Sequence, residues 1–595
     1  MSAQDFTDDQ RRYLEGFVSG VQAGRTAHGL KPLGGIGIGG GNAEPSGPDA
    51  EHLKAMARFE AQGRKLSNEE KAKRDEHPFD AYARFKAESE RGQYAKGVDN
   101  FRWRFHGLYY VAPTQDSYMC RLRLPNGILT HWQFAGIADL SERFGGGYTH
   151  VTTRANLQIR EIKAESGIAL LEGLTELGVV CKGSGADNIR NVTGTPTAGI
   201  DPQELIDTRP YAKAWHHHIL NDRSLYGLPR KFNVAFDGGG LIPVLEDTND
   251  IAFTAVTVSD GADAKPGVWF RLGLGGITGH EDFARPTGVY VKPGDAVAVA
   301  DAIVRVFIDR GDRTDRKKAR LKYVLDAMGF TAFLTAVEDR LGRALNRIPD
   351  VFVSQPPRQD RQAHVGVHPQ KQDGLVWVGV VLQVGKMTAA QMRGLAAIAR
   401  DLGDGDIRLT VWQNFIFSGV KAGDAGQVEA RLAALGLTST ATSVRAGLVA
   451  CTGNTGCKFA ASNTKDTGLA IADWVETRVI LDTPINIHLT GCHHSCAQHY
   501  IGDIGMIACR VPIEGSDDTE EGFHIHVGGG FGPEAMIAHE LYRDIRSADC
   551  PRVVEQMLAG YMAHRDGPEE TFQQFSRRHD AEALKRFFAA GETEA

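Results

Sequence analysis

The sequence predicts an α+β protein built twice from one two-part module, and two internal echoes carry the prediction. Residues 118–162, YMCRLRLPNGILTHWQFAGIADLSERFGGGYTHVTTRANLQIREI, resemble residues 375–420, LVWVGVVLQVGKMTAAQMRGLAAIARDLGDGDIRLTVWQNFIFSGV. Both read strand, glycine turn, helix, strand, and both end on a comparable asparagine, Asn156 and Asn414. The second echo pairs VWFRLGLGGITG (268–279) with FHIHVGGGFG (523–532). A duplicated body can place one large ligand on its pseudo-twofold seam, where loops from both copies converge.

The elements follow in order. Residues 1–95 read as a polar extension: a helical opening, the glycine run LGGIGIGGGNAEPSGPD, then a charged helical stretch. The glycine run follows no apolar strand and has no Lys-Ser/Thr ending, so it reads as a linker and not as a phosphate loop. Aromatic and apolar strand signals begin near residue 99, where the folded body is expected to start. The units expected are 96–165 and 341–440 for the echoed half domains, and 166–340 and 441–595 for the larger domains that follow them.

Of 595 residues, 42% are hydrophobic and 24% charged, which is ordinary for a globular enzyme. The net charge of -7 gives no global attraction to nucleic acid or an anionic membrane, so any anion site must be a local concentration of Arg and Lys. Eight cysteines are too few for a secreted disulfide scaffold. With no apolar signal core at the start and no run of about 18 apolar residues, a cytoplasmic protein is expected.

Half of those cysteines fall in two tight pairs, Cys451 and Cys457 in CTGNTGC, Cys492 and Cys496 in CHHSC. Two short loops that each supply two thiolates suit a cubane iron-sulfur cluster. Zinc sites favour pairs about two to four residues apart, which CHHSC satisfies and CTGNTGC does not. Zinc, and ordinary buried cysteines, remain the alternatives on spacing alone.

The first copy carries cations in segments that read as buried strands: Arg121 and Arg123 in YMCRLRLP, expected on one face; Arg154 and Arg160 in TTRANLQIR; Arg190 in DNIRNVTG; Arg230 and Lys231 in LPRKFN. Each alone could lie on a solvated face. As a set with few acids nearby, they need compensating charge from a polycarboxylate cofactor or an anionic substrate. The stretch GDRTDRKKARLKYVL reads equally as a site segment or a solvated helical face, and the histidines around residues 216–218 and 493–499 as surface or supporting groups.

These motifs, in this order over residues 99–575, resemble the sirohaem and [4Fe-4S] nitrite and sulfite reductases, most of all the ferredoxin-dependent assimilatory nitrite reductases. The resemblance implies ferredoxin-like half domains alternating with sirohaem- and cluster-binding α+β domains. It also implies that Cys451, Cys457, Cys492 and Cys496 hold the cluster, with Cys496 bridging to sirohaem. Arg121, Arg190, Lys231 and Asn233 match residues lining the substrate face. Arg154, Asn156 and Arg160 fall in the sirohaem segment, Arg154 being the expected carboxylate partner.

Where sulfite reductases carry Lys-x-Lys, this chain has Lys231, Phe232 and Asn233, and one cation fewer suits a monoanion. Some family members crosslink a tyrosine to a cysteine; Tyr109 fits the tyrosine, but the cysteine's place is Gly185, so no crosslink is expected. No flavin or nicotinamide fingerprint is apparent, so electrons are expected from a partner, and the resemblance implies that it is reduced ferredoxin. A monomer reducing nitrite to ammonium is expected. The alternatives are a sulfite reductase, a corrin-pathway monooxygenase without sirohaem, and a metal-binding scaffold.

Overall fold

The computed structural model describes residues 45–261, 263–440 and 444–589. The helical opening and most of the glycine run lie outside them.

The two echoed segments form two five-stranded sheets that exchange a strand. One holds Leu108–Val111, Ser117–Arg121, Asn156–Ile162 and Tyr148–Thr152, then Lys386–Thr388 from the other half; its counterpart holds Gly366–Pro369, Leu375–Val380, Phe415–Lys421 and Asp406–Leu409, then Ile128–Thr130. The exchanged strands pair as Met387 with Thr149 and Ile407 with Leu129. Each exchanged strand leads into a 14-residue helix, His131–Phe144 or Ala389–Leu402, opened by the same capping box, Thr130 with Gln133 and Thr388 with Gln391. Such a box satisfies two otherwise orphaned N–H groups at each start, worth about 1 kcal/mol. The helices pack on each other, and Phe134 and Ile137 share one core with Met392 and Leu395. The exchange and shared core lock the halves together.

The two larger domains also repeat one plan. The first sheet runs Thr193–Gly194, Val234–Asp237 and Ile251–Val258 in parallel, then Gly267–Leu274 and Arg285–Val291 antiparallel, with short strands added at its edges. The second runs Leu448–Ala450, Ile487–Thr490 and Ile504–Pro512 in parallel, then Thr519–Val527 and His539–Arg546 antiparallel. The helices Arg209–Asn221 and Thr464–Val475 make the first parallel crossovers. The second echo falls on equivalent strands, Gly267–Leu274 and Thr519–Val527.

Two expected boundaries shift. The folded body begins well before residue 99, because the helices Ala50–Ala61, Asn68–Asp75 and Tyr82–Glu90 bury His52, Met56, Phe59, Glu70, Lys73 and Phe85, with Phe85 stacked on Trp103 at 4.4 Å. The first half domain runs past residue 165, because helix Gly167–Glu176 puts Leu170 and Leu174 into its core and Gln133 Nε2 donates to Leu177 O at 3.0 Å.

Candidate active site

Strands Leu448–Ala450 and Ile487–Thr490 are parallel neighbours, and each runs directly into a cysteine loop. The four thiols are thereby gathered: Cys451, Cys457 and Cys496 all act on Cys492, which burial first, and then these sulfurs, push up to about 12. Cys451 Sγ accepts from Gly491 N at 3.1 Å and Gly453 N at 3.5 Å, bonds that favour a thiolate. Gly453 has φ +70, and a Cβ there would sit 2.7 Å from Thr464 N, so only glycine turns the loop there. Among the described residues, no three of these sulfurs come within 4.8 Å of one another. Thiolates about 2.3 Å from one zinc would stand about 3.8 Å apart. Two loops that each supply two thiolates, not drawn in to a single-ion spacing, suit a multi-iron cluster.

The first copy faces the CHHSC loop with cations. Gly279, at the end of its sheet, lies against that loop: a Cβ there would be 3.3 Å from His494 O. Thr153 Oγ1 donates to Cys496 O at 2.9 Å, and Gln498 Nε2 to Thr248 Oγ1 at 2.8 Å. Lys231 stands just before strand Val234–Asp237, close enough to Cys496 and Arg320 for both to act on it; burial first, then Arg320, lowers its pKa to about 7. Arg230, likewise lowered to about 10 by burial and Arg316, is 3.8 Å from Asp187.

Arg121 Nη1 and Arg190 Nη1 both donate to Tyr109 Oη, at 2.8 and 2.7 Å. Burial pushes that phenol up, but Arg121, Arg190 and Arg104 outweigh it and hold its pKa below the usual tyrosine value. Gly185 lies beside this junction, where a Cβ would sit 2.5 Å from Tyr109 Oη and 2.3 Å from Arg104 O. The juxtaposition of Tyr109 and position 185 is real, and it leaves no room for a side chain.

The other expected residues divide. Arg154 Nη2 donates to Asn191 O at 3.2 Å and Asn249 Oδ1 at 2.8 Å, and burial first, among neighbouring arginines, lowers its pKa to about 9. Arg160 reaches instead into the first cysteine loop, donating to Thr452 Oγ1 at 3.1 Å and Gly456 O at 3.3 Å. Asn156 lies inside the half domain, its amide bonded to Leu122 O at 2.6 Å and Leu157 N at 2.9 Å, which makes it a brace of its own sheet. Arg123 does not share a face with Arg121: it is 2% exposed and donates to Gly183 O and Ile189 O, propping the loop that carries Arg190.

Acids are nearer than the sequence suggested. Asp187 takes a bidentate bond from Arg316, and Asp250 pairs with Arg320 at 2.7 Å. Among the described residues, however, no carboxylate pairs with Arg121, Arg154, Arg190 or Lys231. Buried Nε of Arg154 and Arg190 and Oδ1 of Asn233 have no partner. Uncompensated cations and orphaned polar atoms on one side of a thiolate cage fit a ligand bearing carboxylates and a small anion beside it.

Two groups escaped sequence reasoning. Arg320 lies in GDRTDRKKARLKYVL, which the sequence left open between a site segment and a solvated face, and only its pairing with Asp250 beside Lys231 picks it out. Glu70, in a helix that read as polar, is fully buried between Lys73 and Arg313; these donate to Leu228 O (2.7 Å) and Gly227 O (2.9 Å), bracing the loop that ends in Lys231.

Fold and site together give a duplicated body in which two cysteine loops of one copy lie against buried cations of the other. Family comparison agrees. The "Nitrite and sulphite reductase 4Fe-4S domain" matches residues 185–345 and 442–576, and the "Nitrite/Sulfite reductase ferredoxin-like half domain" matches 110–177 and 368–435. The chain belongs to the nitrite and sulphite reductase family. It is 35% identical over 469 residues to a chloroplastic ferredoxin–nitrite reductase of Zea mays, covering 77% of this chain and 81% of that one. A ferredoxin–nitrite reductase of Synechococcus elongatus is 33% identical, covering 78% and 90%. Among solved structures, the NirA protein of Mycobacterium tuberculosis superposes with a TM-score of 0.81 at 26% identity, covering 88% and 98%. The expected ferredoxin-like half domains and duplicated larger domains are therefore the fold of this chain. No described helix is long and apolar enough to cross a membrane.

Proposed function

We propose that this chain is an assimilatory nitrite reductase that takes electrons from reduced ferredoxin: NO2− + 8H+ + 6e− → NH4+ + 2H2O. The observation that supports it most is the placement of Lys231, with Asn233 two residues on, against the Cys496 loop, where Arg121 and Arg190 also converge through Tyr109.

Cys451, Cys457, Cys492 and Cys496 would hold the [4Fe-4S] cluster, and Cys496 would also ligate sirohaem, whose carboxylates would meet Arg154 and its neighbours. When bound, these groups store electrons and supply the iron at which nitrite is reduced. Lys231 and the two arginines attract the nitrite anion and stabilise charge on its departing oxygens. Lys231, with a pKa near 7, can give a proton and regain it at working pH, and Tyr109, acidified by its arginines, can serve beside it. Asn233 offers a neutral partner where a second lysine would favour a dianion. Arg160 holds the first cysteine loop in register with the half domain. The eight free cysteines suit a reducing compartment, and we place the protein in the cytoplasm.

The test is turnover of nitrite and sulfite by the purified enzyme with reduced ferredoxin. Nitrite is expected to be reduced faster to ammonium; faster sulfite reduction would replace this reading with the sulfite reductase alternative.

A further inference from the structure

Away from the seam, the second copy's sheet carries a side-chain cluster the reaction does not use. Cys509, His524 and Asp544 stand on three adjacent antiparallel strands, Ile504–Pro512, Thr519–Val527 and His539–Arg546. Ile507 opposes His524, and Cys509 is two residues on from Ile507, so thiol and imidazole project from one face. Asp544 sits where the register slips between Phe523 and Ile525, and its φ of 54 is a left-handed conformation that aspartate tolerates better than most residues. That bulge brings its carboxylate to the same face.

The three ligand atoms lie within 4.8 Å of one another. Asp544 Oδ1 is 3.8 Å from Cys509 Sγ and 3.8 Å from His524 Nδ1. Around zinc, with bonds of about 2.3 Å to sulfur and 2.0–2.2 Å to nitrogen and oxygen, the edges of a tetrahedron are about 3.4–3.6 Å. The two edges at Asp544 need to close by only a few tenths of an ångström, and the third lies within 4.8 Å. Asp544 N donates to His524 Nδ1 at 3.2 Å, which keeps this nitrogen unprotonated, its lone pair engaged by a backbone bond that a metal would have to displace. A second cluster, His218, Asp222 and Asp301, is already filled by Arg305, which pairs with both carboxylates. Among the described residues no Arg or Lys pairs with Asp544.

We propose that Cys509, His524 and Asp544 form a mononuclear site for a divalent metal ion, zinc by its sulfur, nitrogen and oxygen donors, with the fourth position open to water. The ion clamps three strands of the cluster-bearing sheet. Burial, then Asp544, pushes the Cys509 thiol up to about 11, so metal uptake releases a proton and tightens as pH rises. The site is independent of the proposed redox function.

The test uses anaerobic holoenzyme titrated with Co2+ as a spectroscopic probe, read as a difference spectrum. The expected result is one Co2+ per chain with a thiolate-to-cobalt charge-transfer band, displaced by Zn2+, abolished in Cys509→Ser and at least tenfold weaker in His524→Ala. Both variants should keep parental iron, sulfide and nitrite turnover. A parent enzyme without the band, or a Cys509→Ser enzyme that retains it, overturns the proposal.

Discussion

In the first copy's sheet, Asn233 donates its backbone N–H to Asp250 at 2.8 Å, and Asp250 pairs with Arg320; in the second, Asn486 donates to Asp503 at 2.8 Å, and Asp503 pairs with Arg361. Each asparagine's carbonyl then accepts the N–H that opens the next strand, Ile251 or Ile504, at 3.1 Å. The frames match in these backbone bonds and in having an arginine on the aspartate, but their loops carry opposite chemistry. In the second copy, the loops after the first two parallel strands present thiols. In the first, the corresponding stretches are closed on themselves, with Gly238 N donating to Thr195 Oγ1 at 2.8 Å, while cations crowd the residues before the strands. The same support occurs twice; in the proposed function the loops of one copy would hold the electron store and the approaches of the other would hold the anion.

Removing the thiolate side should do most harm. Cys496→Ser is expected to abolish nitrite reduction and lose the coupled haem spectrum together with acid-labile sulfide; an active variant with an intact spectrum would remove Cys496 from its bridging role. On the cationic side, Lys231→Met should lower kcat/KM for nitrite by about 10²–10³ while iron content stays constant. Lys231 is cationic below its pKa of about 7 and neutral above it, so KM for nitrite should rise as pH passes 7. Lys231→Arg should flatten that rise, and an unchanged pH profile would show that another group carries the anion.

The support beneath Lys231 offers a gentler break. Glu70→Ala leaves Lys73 and Arg313 buried without their shared carboxylate, at a cost of about 3–5 kcal/mol of stability, read by denaturant unfolding. The smallest effect tests substrate choice: Asn233→Lys should shift the nitrite-to-sulfite preference about tenfold toward sulfite by adding one cation for a dianion. A constant ratio in competition assays would mean that position 233 does not set it.

The duplication, the cysteine pairs and the cations were legible because each leaves a local pattern: the repeated capping segments at Thr130 and Thr388, CTGNTGC and CHHSC, and arginines in apolar strands. Other features have no such signature. Arg121 and Arg123 alternate as two residues on one strand face should, yet the strand ends at Arg121 and Arg123 turns under the loop of Arg190. Asn156 looked like a ligand beside Arg154 and proved to be a backbone brace. Glu70 read as a solvated helix charge, and only its packing against Lys73 and Arg313 shows it to be buried.

The sequence by itself determined which chemistries were present, since thiols, guanidiniums and glycine turns are fixed residue by residue, and periodicity sets which segments become strands and helices. Tertiary structure alone decided which of them meet. The strand exchange between half domains, the approach of the CHHSC loop to Lys231 and the convergence of Arg121 and Arg190 on Tyr109 join residues 12 to 278 positions apart. Contacts at such separations depend on how whole sheets pack, which no local pattern encodes.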